Sequence, residues 1–341
     1  MNRTFWTRRR FLAAANTAAI LNHPKIARPA ATRGGFEVSA SLYAWDLHDE
    51  GIEKILDNLQ QMAAVNSVYL IALMHYEKRP LTSPVFTHNP ARKTWQAEDS
   101  RIYWHPQVKR YGRIQPRLSD FDWLKQTDWL NVLVKAARKR GLKTGVELSH
   151  TVLDADRGKG EFLDCVQRDI AGEPRTVWGR GYPICPNSPD ARKYVLNLFS
   201  DLAANYDVDY LQTCTLPFIP GGPQKGGCFC DNCVRAAAEG GFDLKQARAI
   251  FQKNPSSQPE AEKWQAFRCK SIAQYYKLMH DGIHAIRAGA ELRFNDCFTN
   301  PAEWGLDLGQ TRPHLDSVRV CDYTEQKGNP PLMKNKREWL S

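Results

Sequence analysis

Three cysteines, Cys228, Cys230 and Cys233, fall within six consecutive residues, and their spacing is typical of metal ligands. In C-x-C the two side chains diverge along an extended segment, and the following C-x-x-C curls back so that three sulfurs can face one point. That arrangement suits three corners of a tetrahedral zinc site, which needs a fourth ligand from elsewhere. A disulfide with a spare thiol and three unreactive thiols remain as alternatives.

The remaining cysteines give weaker signals. Nine cysteines are many for a cytosolic protein and are compatible with disulfides outside the cytoplasm. Cys165, Cys269, Cys297 and Cys321 lie in apolar or helical contexts, and we interpret them as small buried hydrophobic residues. The triplet lacks the four-thiolate spacing of common iron–sulfur clusters, which disfavours an electron-transfer centre.

Residues 36–341 alternate short apolar strands with amphipathic helices, which predicts a single α/β domain with a parallel sheet and helices outside it. The length favours a (β/α)8 TIM barrel over an open sheet. Strands are predicted at 36–43, 67–74, 143–148, 208–214, 291–296 and 317–323. Helices are predicted at 51–64, 123–141, 190–206 and 260–288. Only six strands are visible, so we expect either a barrel that is incomplete at its C-terminal end or a truncated chain.

Three long loops follow predicted strands, at residues 75–120, 154–189 and 215–240, and the last is the cysteine-rich metal loop. α/β barrels place their binding residues at the C-terminal ends of the strands. Aromatic residues are frequent in or beside these loops, and Trp45 follows the first strand. Such rings can stack on the apolar faces of sugars or pack inside the loops.

The run Y-P-I-C-P-N-S-P, which contains Cys185, is followed by Arg192, a helix, a strand and the cysteine triplet. With this order, residues 182–236 resemble the zinc-bearing segment of glycoside hydrolase family 42 and of related TIM-barrel glycosyl hydrolases. In the zinc-bearing members a cysteine in this context joins the triplet, so the resemblance implies Cys185 as the fourth ligand. Cys214 is the rival. Four cysteines leave zinc no position for water, so the implied ion is structural.

The resemblance also implies a hydrolase that uses two carboxylates, but these do not transfer residue by residue. In the family the fourth strand ends in Asn-Glu, and the Glu is the general acid/base. The corresponding strand here runs D-Y-L-Q-T-C from Asp209 and has no carboxylate at its C-terminal end. In the family the nucleophile lies on the seventh strand, which has no counterpart among the six predicted strands.

Other carboxylates lie at predicted strand ends. Glu147 ends the third strand, Asp296 ends the fifth, and Asp322 and Glu325 close the sixth. Sugar hydrolysis needs one protonated and one ionised carboxyl group, and Asp296 with Glu325 or Glu147 could supply them. We favour Asp296 because Asn295 precedes it at the strand end. Helix capping or a loop salt bridge is the alternative for each.

Substrate-binding residues are also predicted from strand ends. His75 ends the second strand and His150 follows the third. The predicted binding set comprises Trp45, His75, His150, Asn295 and Asp322. For both histidines a hydrogen-bonded loop residue is the alternative.

The basic charge of the chain is concentrated at its start. The 341 residues carry a net charge of +10, but residues 1–35 hold seven Lys and Arg and no acidic residue, which leaves +3 for the rest. A nucleic-acid-binding protein would carry its charge as a patch on the folded part. Nucleic acid is therefore disfavoured as a partner.

The basic leader resembles a twin-arginine export signal. Arg8, Arg9 and Arg10 precede Phe11, and a weakly apolar run extends to Leu21. This run is well below the roughly 20 apolar residues of a stable bilayer anchor. We expect a periplasmic or secreted protein without a stable membrane anchor, and a disordered basic tail is the alternative.

Two functions follow from these features. The first is an exported glycoside-hydrolase-like protein that acts on a carbohydrate through carboxylates at the barrel top, beside a structural zinc site. The second is a non-catalytic barrel that binds carbohydrate, and the missing fourth-strand Glu favours it. The sequence leaves the oligomeric state open.

Overall fold

The computed structural model describes part of the chain, namely residues 36–74, 89, 91–95, 100–149, 152–153, 155–176, 181–213, 218–296 and 300–320. The leader at 1–35, with its predicted export signal, and residues 321–341 lie outside the described residues. Among the helices of the described ranges, none has the length and apolar character that a bilayer crossing requires.

Ten strands and ten α-helices lie within these residues. The strands are β1 (Ser39–Leu42), β2 (Ser67–Met74), β3 (Arg101–Ile102), β4 (Arg117–Leu118), β5 (Lys143–Leu148), β6 (Val152–Leu153), β7 (Tyr182–Pro183), β8 (Tyr210–Thr213), β9 (Glu291–Asp296) and β10 (Ser317–Val320). The helices are α1 (Ala44–Glu50), α2 (Ile52–Ala63), α3 (Asp122–Lys125), α4 (Trp129–Lys139), α5 (Ala155–Lys159), α6 (Pro189–Asn205), α7 (Asp231–Glu239), α8 (Leu244–Lys253), α9 (Gln258–Ile286) and α10 (Leu308–Thr311). Short 3-10 helices are found at Val108–Arg110, Pro301–Trp304 and Arg312–His314.

Six parallel strands form the main sheet, in the spatial order β1, β2, β5, β8, β9 and β10. The predicted α/β class with a parallel sheet is therefore confirmed. The short strand β3 pairs antiparallel with the end of β2, and β4 pairs with β3. Strands β6 and β7 form a separate antiparallel pair. In the described part of the chain, no backbone pairing joins β1 to β10.

The predicted bounds hold for β2, β5 and β9, but two helical predictions need correction. The predicted helix at 123–141 is two helices, because Asp128 caps the second one by accepting a hydrogen bond from the backbone N–H of Asn131 at 2.9 Å. Helix α1 was not predicted. It contains Trp45, which the sequence placed in a binding loop.

The main sheet is strongly curled. Arg319 of β10 donates from Nη1 to the Oη of Tyr69 in β2 at 2.6 Å, although four strand spacings separate these strands. In a flat sheet, spacings of about 4.8 Å would hold the two backbones about 19 Å apart, too far for the side chains to meet. Inner side chains therefore meet across an interior, as in a barrel.

Strand alternation divides each strand between that interior and the helical layer. Phe294 of β9 packs edge-on against Tyr276 of α9, with ring centroids 5.4 Å apart, and therefore faces the helices. Its neighbours Arg293 and Asn295 face the interior, because successive side chains point to opposite faces of a strand.

A lower cluster of charged and aromatic side chains lies on the inner face of the sheet at the N-terminal ends of the strands. It consists of Glu37, Lys143, Tyr210, Glu291 and Arg293. Both guanidinium Nη atoms of Arg293 donate to Glu37, at 2.5 and 2.9 Å, and Lys143 Nζ lies 3.0 Å from Glu37 and 3.1 Å from Glu291. The Arg293 guanidinium lies 3.6 Å from the Tyr210 ring centroid. The charges of this cluster are thus paired.

Tyr210 fills the centre of the lower cluster. Its hydroxyl lies 3.0 Å from the Oγ of Ser39 and 2.8 Å from the Oγ of Ser67, which ties β8 to β1 and β2. Gly145 leaves room for the ring, since a Cβ at this position would lie 2.1 Å from the tyrosine. A side chain at position 145 would therefore displace the ring.

Candidate active site and cysteine cluster

An upper cluster of polar side chains lies farther along the same inner face. Four of its members lie near the C-terminal ends of their strands, whereas Tyr69 lies in the N-terminal half of β2 and reaches the cluster with its hydroxyl. Five adjacent strands contribute one residue each. The upper cluster consists of Tyr69 from β2, Glu147 from β5, Gln212 from β8, Asn295 from β9 and Arg319 from β10. The C-terminal ends of barrel strands are where this fold class places its active sites.

Glu147 is the centre of the upper cluster. It is 9% exposed, and its Oε2 accepts hydrogen bonds from Gln212 Nε2 at 2.5 Å and from Asn295 Nδ2 at 3.0 Å. Burial raises the pKa of this carboxyl group above its ordinary value, while the two amide donors and the positive charge of Arg319 act in the opposite direction. Glu147 therefore holds a proton more tightly than an exposed glutamate does.

Tyr69 and Arg319 form the other side of the upper cluster. Tyr69 is buried, and burial together with the charge of Glu147 raises the pKa of its hydroxyl, against the influence of Arg319. The hydroxyl accepts the hydrogen bond from Arg319. The positive charge of Arg319 acts to lower the pKa of Glu147, and therefore favours Glu147 after it loses its proton.

Asn295 has one unused acceptor. Its Nδ2 donates to Glu147, whereas its Oδ1 is buried and accepts no hydrogen bond from the described residues. A buried acceptor without a donor is unfavourable. It offers a place for a donor such as the hydroxyl group of a ligand.

The structure brings together two of the predicted catalytic and substrate-binding residues, Glu147 and Asn295. Asp296 is also buried, but alternation places it on the same face of β9 as Phe294, toward the helices. Asp296, the carboxylate that the sequence favoured, therefore lies on the opposite face of the sheet from Glu147. The predicted site residues His75, His150, Asp322 and Glu325 lie outside the described residues.

Trp45 does not match the expectation of an exposed ring in a cleft. It is fully buried, stacks on Tyr43 with ring centroids 4.2 Å apart and lies 5.0 Å from the ring of Trp95. The loop residues Tyr103 and Trp104 are buried as well. These aromatic residues pack within the domain, which is the alternative that the sequence left open.

The sequence did not point to Tyr69 or Arg319, and Gln212 stood out only as a departure from a family pattern. The available signal was a polar residue at alternate, inward positions of an otherwise apolar strand. Register supplies the rest, since Glu147 pairs directly with Gln212, and Asn295 with Arg319.

Four cysteines, Cys185, Cys228, Cys230 and Cys233, form a second buried cluster outside the sheet. Their sulfur atoms all lie within 4.8 Å of one another, and Cys185 Sγ is 3.4 Å from Cys230 Sγ and 3.5 Å from Cys233 Sγ. These distances exceed the roughly 2.05 Å of a disulfide bond. Tetrahedral zinc with bonds of about 2.3 Å holds its sulfurs about 3.8 Å apart, close to the separations seen.

Polar groups around the four cysteines point at the sulfurs. The backbone N–H of Arg168 donates to Cys228 Sγ, and that of Asn187 to Cys185 Sγ, each at 3.4 Å. Burial raises the pKa of the Cys185 thiol well above its usual value. Such N–H groups favour the thiolate form of a cysteine, whereas burial favours the neutral thiol.

Comparisons with known proteins give one sequence relative and many similar folds. No protein-family model matches the chain. A beta-galactosidase, BgaA of Planococcus sp. (strain 'SOS Orange'), is 29% identical over 149 residues, which are 40% of this chain and 21% of that protein. The match therefore spans about a fifth of the length of that relative.

Solved structures show the fold more fully. The glycoside hydrolase domain of PgaB (BpsB) from Bordetella bronchiseptica has a TM-score of 0.60 at 13% identity, over 89% of this chain and 79% of that one. The beta-galactosidase from Bacillus circulans sp. alkalophilus has a TM-score of 0.51 at 16% identity, over 86% of this chain and 40% of that one. The catalytic domain of the Paenibacillus polymyxa beta-amylase has a TM-score of 0.51 at 9% identity, over 89% of this chain and 82% of that one. The chain has a glycoside-hydrolase-like TIM-barrel fold.

Proposed function

We propose that this protein acts on a carbohydrate as a glycoside-hydrolase-like enzyme, with Glu147 as its general acid. One observation carries the proposal. A buried carboxyl group with a raised pKa is held by two amides at the C-terminal end of a barrel strand. The substrate class is supported by BgaA, a beta-galactosidase, and by the PgaB glycoside hydrolase domain.

The hydrogen bonds of Glu147 define how it would donate its proton. Because Oε2 already accepts two N–H groups, the proton of the acid form belongs on Oε1. Oε1 would protonate the glycosidic oxygen as the bond to the sugar breaks. The resulting carboxylate would keep the two amide donors and the nearby Arg319, so the charge that develops is stabilised in place.

Hydrolysis of this kind needs a second carboxylate across the substrate. Asp322 and Glu325 are our candidates, because they follow β10, whose Arg319 already belongs to the upper cluster. Asp296 is the weaker candidate because it shares a strand face with Phe294. A separation of roughly 5 Å between the two carboxyl groups would support retaining chemistry, and about 6.5–9.5 Å inverting chemistry.

We further propose that Cys185, Cys228, Cys230 and Cys233 bind one structural zinc ion. The sulfur separations and the N–H groups that point at the sulfurs support this ion, and four thiolates would leave it no open position for chemistry. Zinc would join the segment before α6 to the segment before α7.

The zinc proposal is tested by metal analysis and by stability. We expect at least one tightly bound zinc per chain in the purified protein, and removal of this metal should lower the melting temperature while the folded protein keeps its activity. Cys185→Ser should lose the metal. Cys165→Ser should keep it, because Cys165 is a buried cysteine that does not belong to the cluster of four. Full zinc retention in Cys185→Ser would contradict the assigned fourth ligand.

Export through the leader remains part of the proposal. The support is the twin-arginine pattern at Arg8 and Arg9 and the absence of acidic residues in 1–35. Replacing both arginines with lysine should retain the protein in the cytoplasm of its host. Unchanged export of that variant would contradict the twin-arginine route.

The second candidate function is a carbohydrate-binding barrel without catalysis. It is favoured by Gln212, which lies on the strand where the family resemblance implies a catalytic Glu. The two functions are separated by assaying a broad glycan panel together with calorimetric binding. Turnover that is lost in Glu147→Gln supports the enzyme, and saturable binding without turnover supports the binding barrel.

A further inference from the structure

A cluster of two histidines and one aspartate lies at the N-terminal end of the sheet, away from Glu147. His280 and His284 are one helical turn apart in α9, and Asp316 directly precedes β10. One ligand atom from each residue lies within 4.8 Å of the other two. Each side chain is about a quarter exposed, at 25%, 27% and 22%, so the group is open to solvent ions.

The proton on His284 can be placed from its partners. Nδ1 lies 3.2 Å from the carbonyl oxygen of Ala288, which can only accept, so Nδ1 carries a hydrogen. Nε2 of a neutral ring would then present its lone pair to Asp316 Oδ2 at 2.9 Å. Two acceptors at this distance repel each other, so either a second proton or a metal ion must lie between them.

The position of His280 favours a metal ion. Its Nε2 lies 3.9 Å from the same Oδ2, and its ring centroid is 4.2 Å from that of His284. A simple ion pair between His284 and Asp316 needs no second imidazole. A tetrahedral ion with bonds of about 2.0–2.1 Å needs ligand atoms about 3.3 Å apart, and the distances of 2.9 and 3.9 Å bracket that value.

Hydrogen-bond acceptors near the Nδ1 atoms of His280 and His284 are consistent with metal binding through the Nε2 atoms. Metal-bound histidines generally donate their other ring N–H to a carbonyl or a carboxylate. His284 has the Ala288 carbonyl, and His280 Nδ1 lies 3.4 Å from Asp281 Oδ1. Lys277 is paired with Asp281. Asp316 Oδ2 also accepts the backbone N–H of Leu292 at 2.9 Å, which fixes the carboxylate.

We propose that His280, His284 and Asp316 bind a divalent transition-metal ion of the zinc class, with water completing its coordination. Two imidazole nitrogens and one carboxylate oxygen suit such an ion better than Mg²⁺ or Ca²⁺, which prefer oxygen ligands. The ion would fasten the last turns of α9 to the start of β10. This site goes beyond the proposed function and does not depend on it.

The test uses Ni²⁺ as the probe, because imidazole ligands bind it well. Full-length protein without a polyhistidine tag is first given one equivalent of zinc, which the four cysteines bind more tightly than two imidazoles and a carboxylate do. It is then freed of weakly bound metal and titrated calorimetrically with Ni²⁺. Comparison among variants isolates this site, because the cysteine cluster is the same in all of them. We expect the wild type to bind one more Ni²⁺ per chain than His284→Asn.

Two milder variants guard against misfolding. His280→Asn removes a ligand that is too far from Asp316 for a hydrogen bond, and Asp316→Asn keeps an oxygen for the N–H of Leu292. Each should weaken Ni²⁺ binding at least about tenfold. The control is His105→Asn, an exposed histidine bonded to the Lys125 carbonyl, which should bind as the wild type does.

Circular dichroism establishes that every variant compared is folded. Equal Ni²⁺ stoichiometry and affinity in the wild type, His280→Asn and Asp316→Asn would overturn the proposal and leave an ordinary His284–Asp316 ion pair. The absence of any saturable Ni²⁺ binding to the wild type would overturn it as well. Neither result would bear on Glu147 or on the cysteine site.

Discussion

The upper and lower clusters lie on the same inner face of the barrel, but the pKa values of their glutamates are shifted in opposite directions. In the lower cluster Glu37 is paired with Arg293 and Lys143. Partial burial alone would raise the pKa of Glu37, but the hydrogen bonds and charges of Arg293 and Lys143 lower it to about 2. In the upper cluster burial raises the pKa of Glu147, and neutral amides are its direct partners.

This difference in pKa indicates that the lower cluster is structural and the upper cluster is reactive. Paired carboxylates stay ionised and hold strands together, whereas a buried carboxyl group with amide partners can keep a proton until a substrate needs it. Stability alone would be better served by a neutral residue at 147. The upper cluster is therefore where we place the chemistry, and the lower cluster is where ion pairs link the strands.

The largest effect is expected from Glu147→Gln. Removal of the general acid should lower turnover of any glycan substrate by about 100-fold to 10,000-fold, because general acid catalysis contributes on that order. The melting temperature should not fall, since the glutamine oxygen can still accept the hydrogen bonds from Gln212 and Asn295. Steady-state assays and thermal unfolding measure the two quantities on the same samples.

The matched control is Glu262→Gln, an exposed glutamate in α9. It should change neither turnover nor stability. A folded Glu147→Gln variant with wild-type turnover would remove the distinction between the two clusters.

The next effect is expected from Arg293→Met, which breaks the lower cluster. It leaves Glu37 and Glu291 without their shared guanidinium and removes the stacking on Tyr210. Because this site is partly exposed, we expect a loss of about 1–3 kcal/mol in the free energy of unfolding. Urea denaturation measures this loss. Turnover by the folded variant should stay near that of the wild type, and a loss as large as that in Glu147→Gln would contradict a purely structural lower cluster.

The two carboxyl groups should also give opposite dependences of stability on pH. The pKa of Glu147 is raised, so its contribution is complete below about pH 4.5 and is lost as pH rises through its folded pKa. The pKa of Glu37 is lowered, so its contribution is complete above about pH 4.5 and is lost as pH falls toward about 2.

Unfolding measured from about pH 3 to about pH 8 tests these signs. The stability of Glu147→Gln relative to the wild type should rise with pH. The deficit of Glu37→Gln should shrink as pH falls. Parallel curves for the wild type and both variants would show that neither carboxyl group has a shifted pKa.

The sequence could predict the parallel α/β fold and the grouping of Cys228, Cys230 and Cys233 for a physical reason. Apolar periodicity is a local property, and short C-x-C-x-x-C spacing restricts where three sulfurs can go. Cys185 came from a family resemblance rather than from spacing, and the structure places its sulfur beside the other three.

The upper cluster could not be predicted in the same way. Its members are far apart in sequence, and only strand register decides that Gln212 lies opposite Glu147. A shift of one residue reverses the face of a strand. This alternation puts Asn295 beside Glu147 and Asp296 toward the helices, although they are neighbours in the chain. Trp45 likewise became a core residue because an unpredicted helix follows β1.

The pKa values of Glu147 and Glu37 are expected to depart from the usual glutamate value in opposite directions. This difference can be measured without knowing the substrate. Site-resolved carboxyl titration by carbon-13 NMR, assigned with Glu147→Gln and Glu37→Gln, gives both pKa values in one protein. We predict a value above 4.5 for Glu147 and about 2 for Glu37. A Glu147 value at or below 4.5 would contradict the assignment of the upper cluster as the reactive one.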